Sequence, residues 1–212
     1  MKDATDIIAI LDRSGSMGSI KTDTEGGFNS FVKDQQETPG ECTLSLYNFD
    51  DRYEVVYENR PIADVPALDL HPRGLTALLD AIGKTINARG EYYASLPEED
   101  RPSRIIVLIM TDGQENASHE FTIATIKQIV TEQQDVYKWQ FIFLGANIDS
   151  FSVAGGMGIR ACTTLDFAAD SKGVAVSYAS VSRSVSAYRR SAPSAGLQGF
   201  SDEDRAAAKD PQ

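Results

Sequence analysis

Cysteine is nearly absent from this chain of 212 residues, where Cys42 and Cys162 are the only two. That excludes a disulfide framework, and a domain of this length needs none, because it buries roughly 70% of the surface its unfolded chain exposes. Both read as small buried hydrophobes, Cys42 on a strand and Cys162 in a last strand. Histidine is equally scarce. His71 and His119 stand apart, with no His-Glu-x-x-His spacing and no Cys-x-x-Cys companion, so a zinc site is not expected. Basic residues are outnumbered, 20 Lys and Arg against 31 Asp and Glu, giving a formal charge of −11 with no Lys/Arg-rich run. Phosphate backbones and anionic lipids find no electrostatic footprint on such a chain, which speaks against nucleic acid as a partner. Long apolar runs are missing as well. Ile105 to Met110 is among the longest and is far too short to cross a bilayer, and Asp6 and Asp12 bracket the first apolar stretch. No signal-peptide pattern is visible, so a cytoplasmic location and no membrane contact are expected. The chain also has no Gly-x-x-x-x-Gly-Lys-Ser/Thr phosphate loop and no Gly-x-Ser-x-Gly elbow.

Short β-rich runs alternate with longer segments of helical spacing, the pattern of an α/β sheet with crossover helices. Ile7 to Leu11, Ile105 to Met110 and Phe141 to Leu144 are continuous apolar runs, which suit central parallel strands covered on both faces. Cys42 to Phe49 alternates instead, with Leu44 and Leu46 on one face and Thr43, Ser45 and Tyr47 on the other. Tyr53 to Tyr57 follows after only Asp50, Asp51 and Arg52, so the two runs predict an antiparallel hairpin near a sheet edge, with Asp50 and Asp51 as solvated turn residues. Glu58 to Arg73 holds Pro61, Pro66 and Pro72 and reads as a loop connection. Helical stripes are formed by Ile20, Phe28, Phe31 and Val32, by Leu78, Leu79, Ile82 and Ile86, and by Ile123, Ile126, Ile129 and Val130. A long final stripe comprises Val174, Tyr178, Val181, Val185 and Tyr188. Gly26 and Gly27 interrupt the first helical segment, as a break or as a place of close approach. The domain is expected to span residues 1–190, and 191–212, rich in small and charged residues, to be a flexible C-terminal tail.

Three segments place oxygen-bearing side chains near the ends of these elements. In Leu11-Asp12-Arg13-Ser14-Gly15-Ser16-Met17, alternate side chains of an extended backbone point the same way, so Asp12, Ser14 and Ser16 can converge while Arg13 and Gly15 turn aside. Gly74-Leu75-Thr76 sets Thr76 at the start of the helix that carries Leu78 and Leu79, and Thr111-Asp112-Gly113 closes the strongest buried strand. In a doubly wound sheet, sites form outside the carboxyl ends of the strands. Hydroxyls and carboxylates there suit a hard divalent cation, Mg²⁺ first, with nothing soft enough to prefer zinc or copper. Asp80 reads as an acid in a first helical turn, and Asn147 and Asp149 as caps of a short helix on the same rim.

These residues resemble a known family. Asp12-x-Ser14-x-Ser16, Gly74-x-Thr76 and Thr111-Asp112-Gly113, in this order, are similar to the metal-ion-dependent adhesion site of von Willebrand factor type A domains, over roughly residues 4–190. The segments around Leu11 to Met17, Thr76 to Ile82 and Phe143 to Asp149 resemble intracellular bacterial and phage members most. The resemblance implies a Rossmann-like, doubly wound α/β fold: a six-stranded, mostly parallel sheet with one antiparallel edge strand and helices on both faces. It further implies one divalent cation, Mg²⁺ ahead of Mn²⁺ or Ca²⁺, held by Asp12, Ser14, Ser16, Thr76 and Asp112. The function implied is non-enzymatic, a protein interaction in which a partner's Asp or Glu carboxylate completes the metal's shell. The competing reading is a Mg²⁺-dependent phosphohydrolase or phosphotransferase of haloacid dehalogenase or receiver type. That chemistry needs a second carboxylate beside the first or two residues on, where Ser14 stands, and a Lys at a strand end, whereas Lys138 precedes its strand.

Overall fold

The computed structural model describes residues 1–209. Its centre is built by two of the three continuous apolar runs. These lie in β1 (Lys2–Asp12) and β4 (Pro102–Thr111), which pair in parallel. Successive side chains of β1 serve opposite faces: Ile7, Ala9 and Leu11 enter one core layer, Ile8 and Ile10 the other, and all five are buried. β2 (Glu41–Phe49) flanks β1 in parallel, and β3 (Tyr53–Pro61) returns antiparallel beside β2. On the other side β5 (Gln140–Ala146) and β6 (Thr164–Phe167) continue the parallel arrangement. The order is β3-β2-β1-β4-β5-β6, the six-stranded sheet with one antiparallel edge that was expected. β3 extends through Glu58 to Pro61, so the first residues of the expected loop are strand.

Helices cover both faces. α1 (Lys21–Glu37) and α5 (Ser171–Arg190) bury Phe28, Phe31, Val174, Tyr178, Val181, Val185 and Tyr188 against one side. α2 (Leu78–Ser95), α3 (Ile123–Asp135) and the short α4 (Ser150–Gly156) cover the other with Leu78, Ile82, Ile86, Ile126, Val130 and Ala154. One stripe residue differs from expectation: Ile123 is 49% exposed, since it is the first residue of α3 and stands at the rim. No helix among the described residues is long and apolar enough to cross a membrane.

The glycine pair in α1 breaks nothing. A Cβ at Gly27 would overlap the Tyr178 ring, so this glycine lets α1 approach α5, whereas Gly26 has open space beside it. Gly26→Ala is therefore expected to raise stability by about 0.5–1 kcal/mol through helix propensity. Gly27→Ala is expected to lower it by about 1–3 kcal/mol through overpacking. Urea denaturation of the two variants checks the contrast, and effects of the same sign would contradict the packing.

Two expectations fail at the C-terminal side. Residues 191–209 are packed rather than a flexible tail. The Leu197 amide donates to Gln140 Oε1 (3.1 Å), and the Phe200 amide donates to the Cys162 carbonyl (2.9 Å) while the Phe200 ring is buried. α6 (Asp202–Lys209) follows, with Arg205 donating to the Thr164 carbonyl at 2.6 Å and Lys209 paired with Asp166 at 2.7 Å. A composition of small and charged residues concealed this, because a few anchors suffice when the rest of the domain supplies the surface they cover. Residues 210–212 of the expected tail lie outside the described residues. Cys162 is likewise neither buried nor in a strand: it is exposed in the turn Ala161–Thr163 before β6. Cys42 is buried as expected, and burial pushes its thiol up to about 12.

Candidate functional site

The strand order places β1 between β2 and β4, so the chain winds in opposite directions from β1 and a crevice opens at the carboxyl ends of these strands. Asp12 is the last residue of β1 and is wholly buried, while Ser14, Thr76 and Asp112 are nearly so and Ser16 is exposed. The cluster thus has a buried floor and a solvent-facing side. Asp12 Oδ1 accepts the Ser14 amide (2.6 Å) and Oδ2 accepts the Thr111 hydroxyl (2.6 Å), which ties the ends of β1 and β4 together. Ser14 Oγ lies 3.1 Å from Ser16 Oγ, and Ser16 Oγ donates to Asp112 Oδ1 at 2.6 Å.

Thr76 completes the group from a distant loop. A Cβ placed on Gly113 would stand 3.2 Å from Thr76 Oγ1, 3.4 Å from Ser16 Oγ and 3.9 Å from Ser14 Oγ. Three hydroxyls therefore surround the one point that the missing side chain of Gly113 leaves open. Asp112 Oδ2, in contrast, is buried with no hydrogen-bond partner. Burial pushes Asp12 up to about 6 against the bonds from Thr111 and Ser14, with the charge of Asp112 adding to the rise. Burial also raises Asp112, opposed by the Ser16 hydroxyl. Two carboxylates whose ionised forms are both disfavoured, one with an orphaned oxygen, lie beside three hydroxyls, and that donor set fits a hard divalent cation. Among the described residues no group of three His, Cys, Asp or Glu could hold a metal, so any cation here depends on the hydroxyls.

The structure adds residues that sequence reasoning missed. Asn116 clamps Thr76 from both sides: its Oδ1 accepts the Thr76 amide (2.9 Å) and its own amide donates to the Thr76 carbonyl (3.0 Å). Glu115 accepts the Leu79 amide (2.9 Å) together with the Ala117 and Ser118 amides, which binds the loop after β4 to the first turn of α2. Their only local signal is the polar run that follows Asp112-Gly113. Asp80 does more than sit in a first helical turn. It is buried and accepts the amides of His119, Glu120 and Phe121, each at 2.9 Å; burial opposes its charge, but these three donors hold it below the ordinary carboxylate value. Asp149 caps α4 as expected, accepting the Ser152 amide at 3.0 Å.

Asp50 corrects the reading of the hairpin tip. Asp51 is exposed, but Asp50 is wholly buried and accepts from two guanidinium groups, Arg13 Nε (2.9 Å) and Arg73 Nε (2.7 Å). A turn residue was expected to be solvated because nothing local to Asp50 shows that Arg13 and Arg73 converge on it.

No family model matches the chain, and no curated protein matches it. Solved structures do. A von Willebrand factor type A protein from Catenulispora acidiphila superposes with a TM-score of 0.59 at 13% identity, covering 85% of this chain and 42% of that one. The chain has the von Willebrand factor type A fold. Proximal thread matrix protein 1 from the mussel byssus gives a TM-score of 0.64 at 15% identity over 86% of this chain. The chain spans 46% of the length of that protein. The von Willebrand factor domain of the type V pilus tip protein of Porphyromonas gingivalis gives 0.63 at 10% identity, covering 89% of this chain and 97% of that one. At such identities the likeness is one of fold, and the site of this type A fold has to be argued from its own residues.

Proposed function

We propose that this protein is a non-enzymatic interaction module whose site binds one divalent cation through Asp12, Ser14, Ser16, Thr76 and Asp112 and, by way of it, an Asp or Glu carboxylate of a partner protein. The orphaned Asp112 Oδ2 beside the hydroxyls gathered around Gly113 carries this reading. A buried carboxylate oxygen with no donor is costly unless something positive meets it. Mg²⁺ bound there would supply a positive centre able to take a further oxygen ligand, with Mn²⁺ or Ca²⁺ as substitutes. The chain's own residues do the rest: the Asp12 bonds to Ser14 and Thr111 fix the floor, Asn116 fixes Thr76, and exposed Ser16 marks the side from which a carboxylate can enter. The fold supports a binding role, since one of its structural neighbours is a pilus tip protein. The phosphotransfer reading draws no support, because the Lys138 ammonium donates to the Asp135 carbonyl, before β5 rather than after it.

Titration calorimetry of Mg²⁺ and Mn²⁺ into chelator-stripped protein tests the proposal, beside a Ser14→Ala/Asp112→Ala double variant. One-site binding that the variant loses is the expected outcome, accompanied by a rise in Tm of the wild type with Mg²⁺. No heat from a folded wild type, even with acetate present as a carboxylate ligand, would refute the metal site.

A further inference from the structure

Two loops that are far apart in sequence must meet for the hydroxyls to converge: residues 12–16 and residues 73–76. Direct bonds between them are few. The Arg73 amide donates to the Arg13 carbonyl (2.8 Å), and the Gly15 amide reaches the Gly74 carbonyl at only 3.3 Å. Both loops are instead tied to one residue of the β2–β3 hairpin. Asp50 Oδ2 accepts Arg13 Nε from the first loop and Arg73 Nε from the second, and Oδ1 accepts the Arg52 amide at 2.6 Å. The Asp50 carbonyl accepts the Ala77 amide (2.9 Å), one residue past Thr76, and the neighbouring Phe49 carbonyl accepts the Arg13 amide (2.7 Å). Arg13 is itself buried and also pairs with Glu54. Its side chain leaves the strand end on the side opposite Asp12 and Ser14, as the alternation of an extended backbone requires.

We infer that Asp50 is the positioning residue of the oxygen cluster, holding the Asp12–Ser16 and Gly74–Thr76 segments in register through Arg13 and Arg73. For its effect on cation binding this rests on the metal reading above. Asp50 does not belong to the donor set; it acts through two guanidinium groups whose backbones carry the donors. Charge-assisted bonds to a buried carboxylate are the strong ones, and a planar guanidinium fixes direction as well as distance. The apparently plain hairpin tip is thereby a structural part of the site.

The test is Asp50→Asn, which keeps size but sets an amide against two Nε–H donors. Amide hydrogen exchange at Arg73 and Ala77 is expected to quicken by about tenfold or more, in line with the loss of bonds to a charged group, while the amides of Ile8 and Val107 at the sheet centre keep their rates. Mg²⁺ affinity should fall by about tenfold or more in the same variant. If Asp50→Asn does not fold, Arg73→Gln takes its place, because the Arg73 side chain is 52% exposed and its loss frees only the second loop. Unchanged exchange at Arg73 and Ala77 in a folded variant overturns the inference, as does faster exchange with undiminished Mg²⁺ affinity. A wild type that binds no Mg²⁺ defeats the metal reading alone, and the exchange rates then decide the role of Asp50.

Discussion

Arg89→Met is expected to lower stability by about 3–5 kcal/mol at pH 7, the cost of leaving a buried charge without its partner. Arg89 in α2 is 1% exposed and donates to Asp6 Oδ2 (2.5 Å), to Asn59 Oδ1 (2.7 Å) and to the Tyr93 hydroxyl (3.1 Å). Asp6, in β1, is 2% exposed and also accepts from the Tyr93 and Thr43 hydroxyls. Burial pushes the Asp6 carboxyl up, and the Arg89 charge with those hydroxyls pulls it back. Without Arg89 the upward push meets no charge. The sign follows: an acid raised in the folded state costs nothing below 3.8, its ordinary value, and costs progressively more as pH rises above it. The loss caused by Arg89→Met should therefore shrink toward pH 4, and Arg89→Met/Asp6→Asn should recover most of it at pH 7. Urea denaturation of wild type, single and double variants at both pH values measures this. A single variant within 1 kcal/mol of wild type at pH 7 would contradict it.

Asp12→Asn should have the opposite sign, with the chelator-treated protein more stable than wild type by about 1–3 kcal/mol at pH 7. Asp12 is raised to about 6 from 3.8, chiefly by burial, so the penalty for ionising it is absent below pH 3.8 and complete above about pH 6. A shift of this size corresponds to roughly 3 kcal/mol. That figure is already net of the bonds from Ser14 and Thr111, and in the variant Thr111 Oγ1, 3.1 Å from the Gly113 carbonyl, can donate there instead. Added Mg²⁺ should raise the Tm of the wild type and leave Asp12→Asn unchanged, because the cation favours the ionised carboxylate that the variant lacks. An Asp12→Asn protein less stable than wild type in chelator at pH 7 would show that those bonds outweigh burial.

The contrast between these two carboxylates explains what was readable in the chain. Asp12, Ser14 and Ser16 could be singled out because an extended segment sends alternate side chains one way, and Asp112 because it closes the strand from Ile105 to Met110. Central and edge positions follow from the same periodicities, while the six-stranded sheet was implied by the family resemblance: continuous apolar runs became central β1, β4 and β5, and the alternating run Cys42 to Phe49 became β2 beside the edge. Asp6, Asp50, Asn116 and Glu115 carry no such local mark. Their partners lie 83, 37, 40 and 36 residues away, at Arg89, Arg13, Thr76 and Leu79.

By itself the sequence determined the alternating α/β pattern, the antiparallel hairpin at its edge, most of the helical core stripes and the shared direction of Asp12, Ser14 and Ser16, because each depends on patterns a few residues long, whereas the place of Thr76 and Asp112 beside them was implied by the family resemblance. Only the tertiary structure decided that Asp50 is buried between two arginines, that Asp80 is capped by the 119–121 amides, that Cys162 is exposed, and that 191–209 is packed. Burial of a polar group is set by which distant segments close over it. A chain of local signals records which side chains can meet water and which prefer to avoid it, but a carboxylate leaves water only where folding brings donors to replace it.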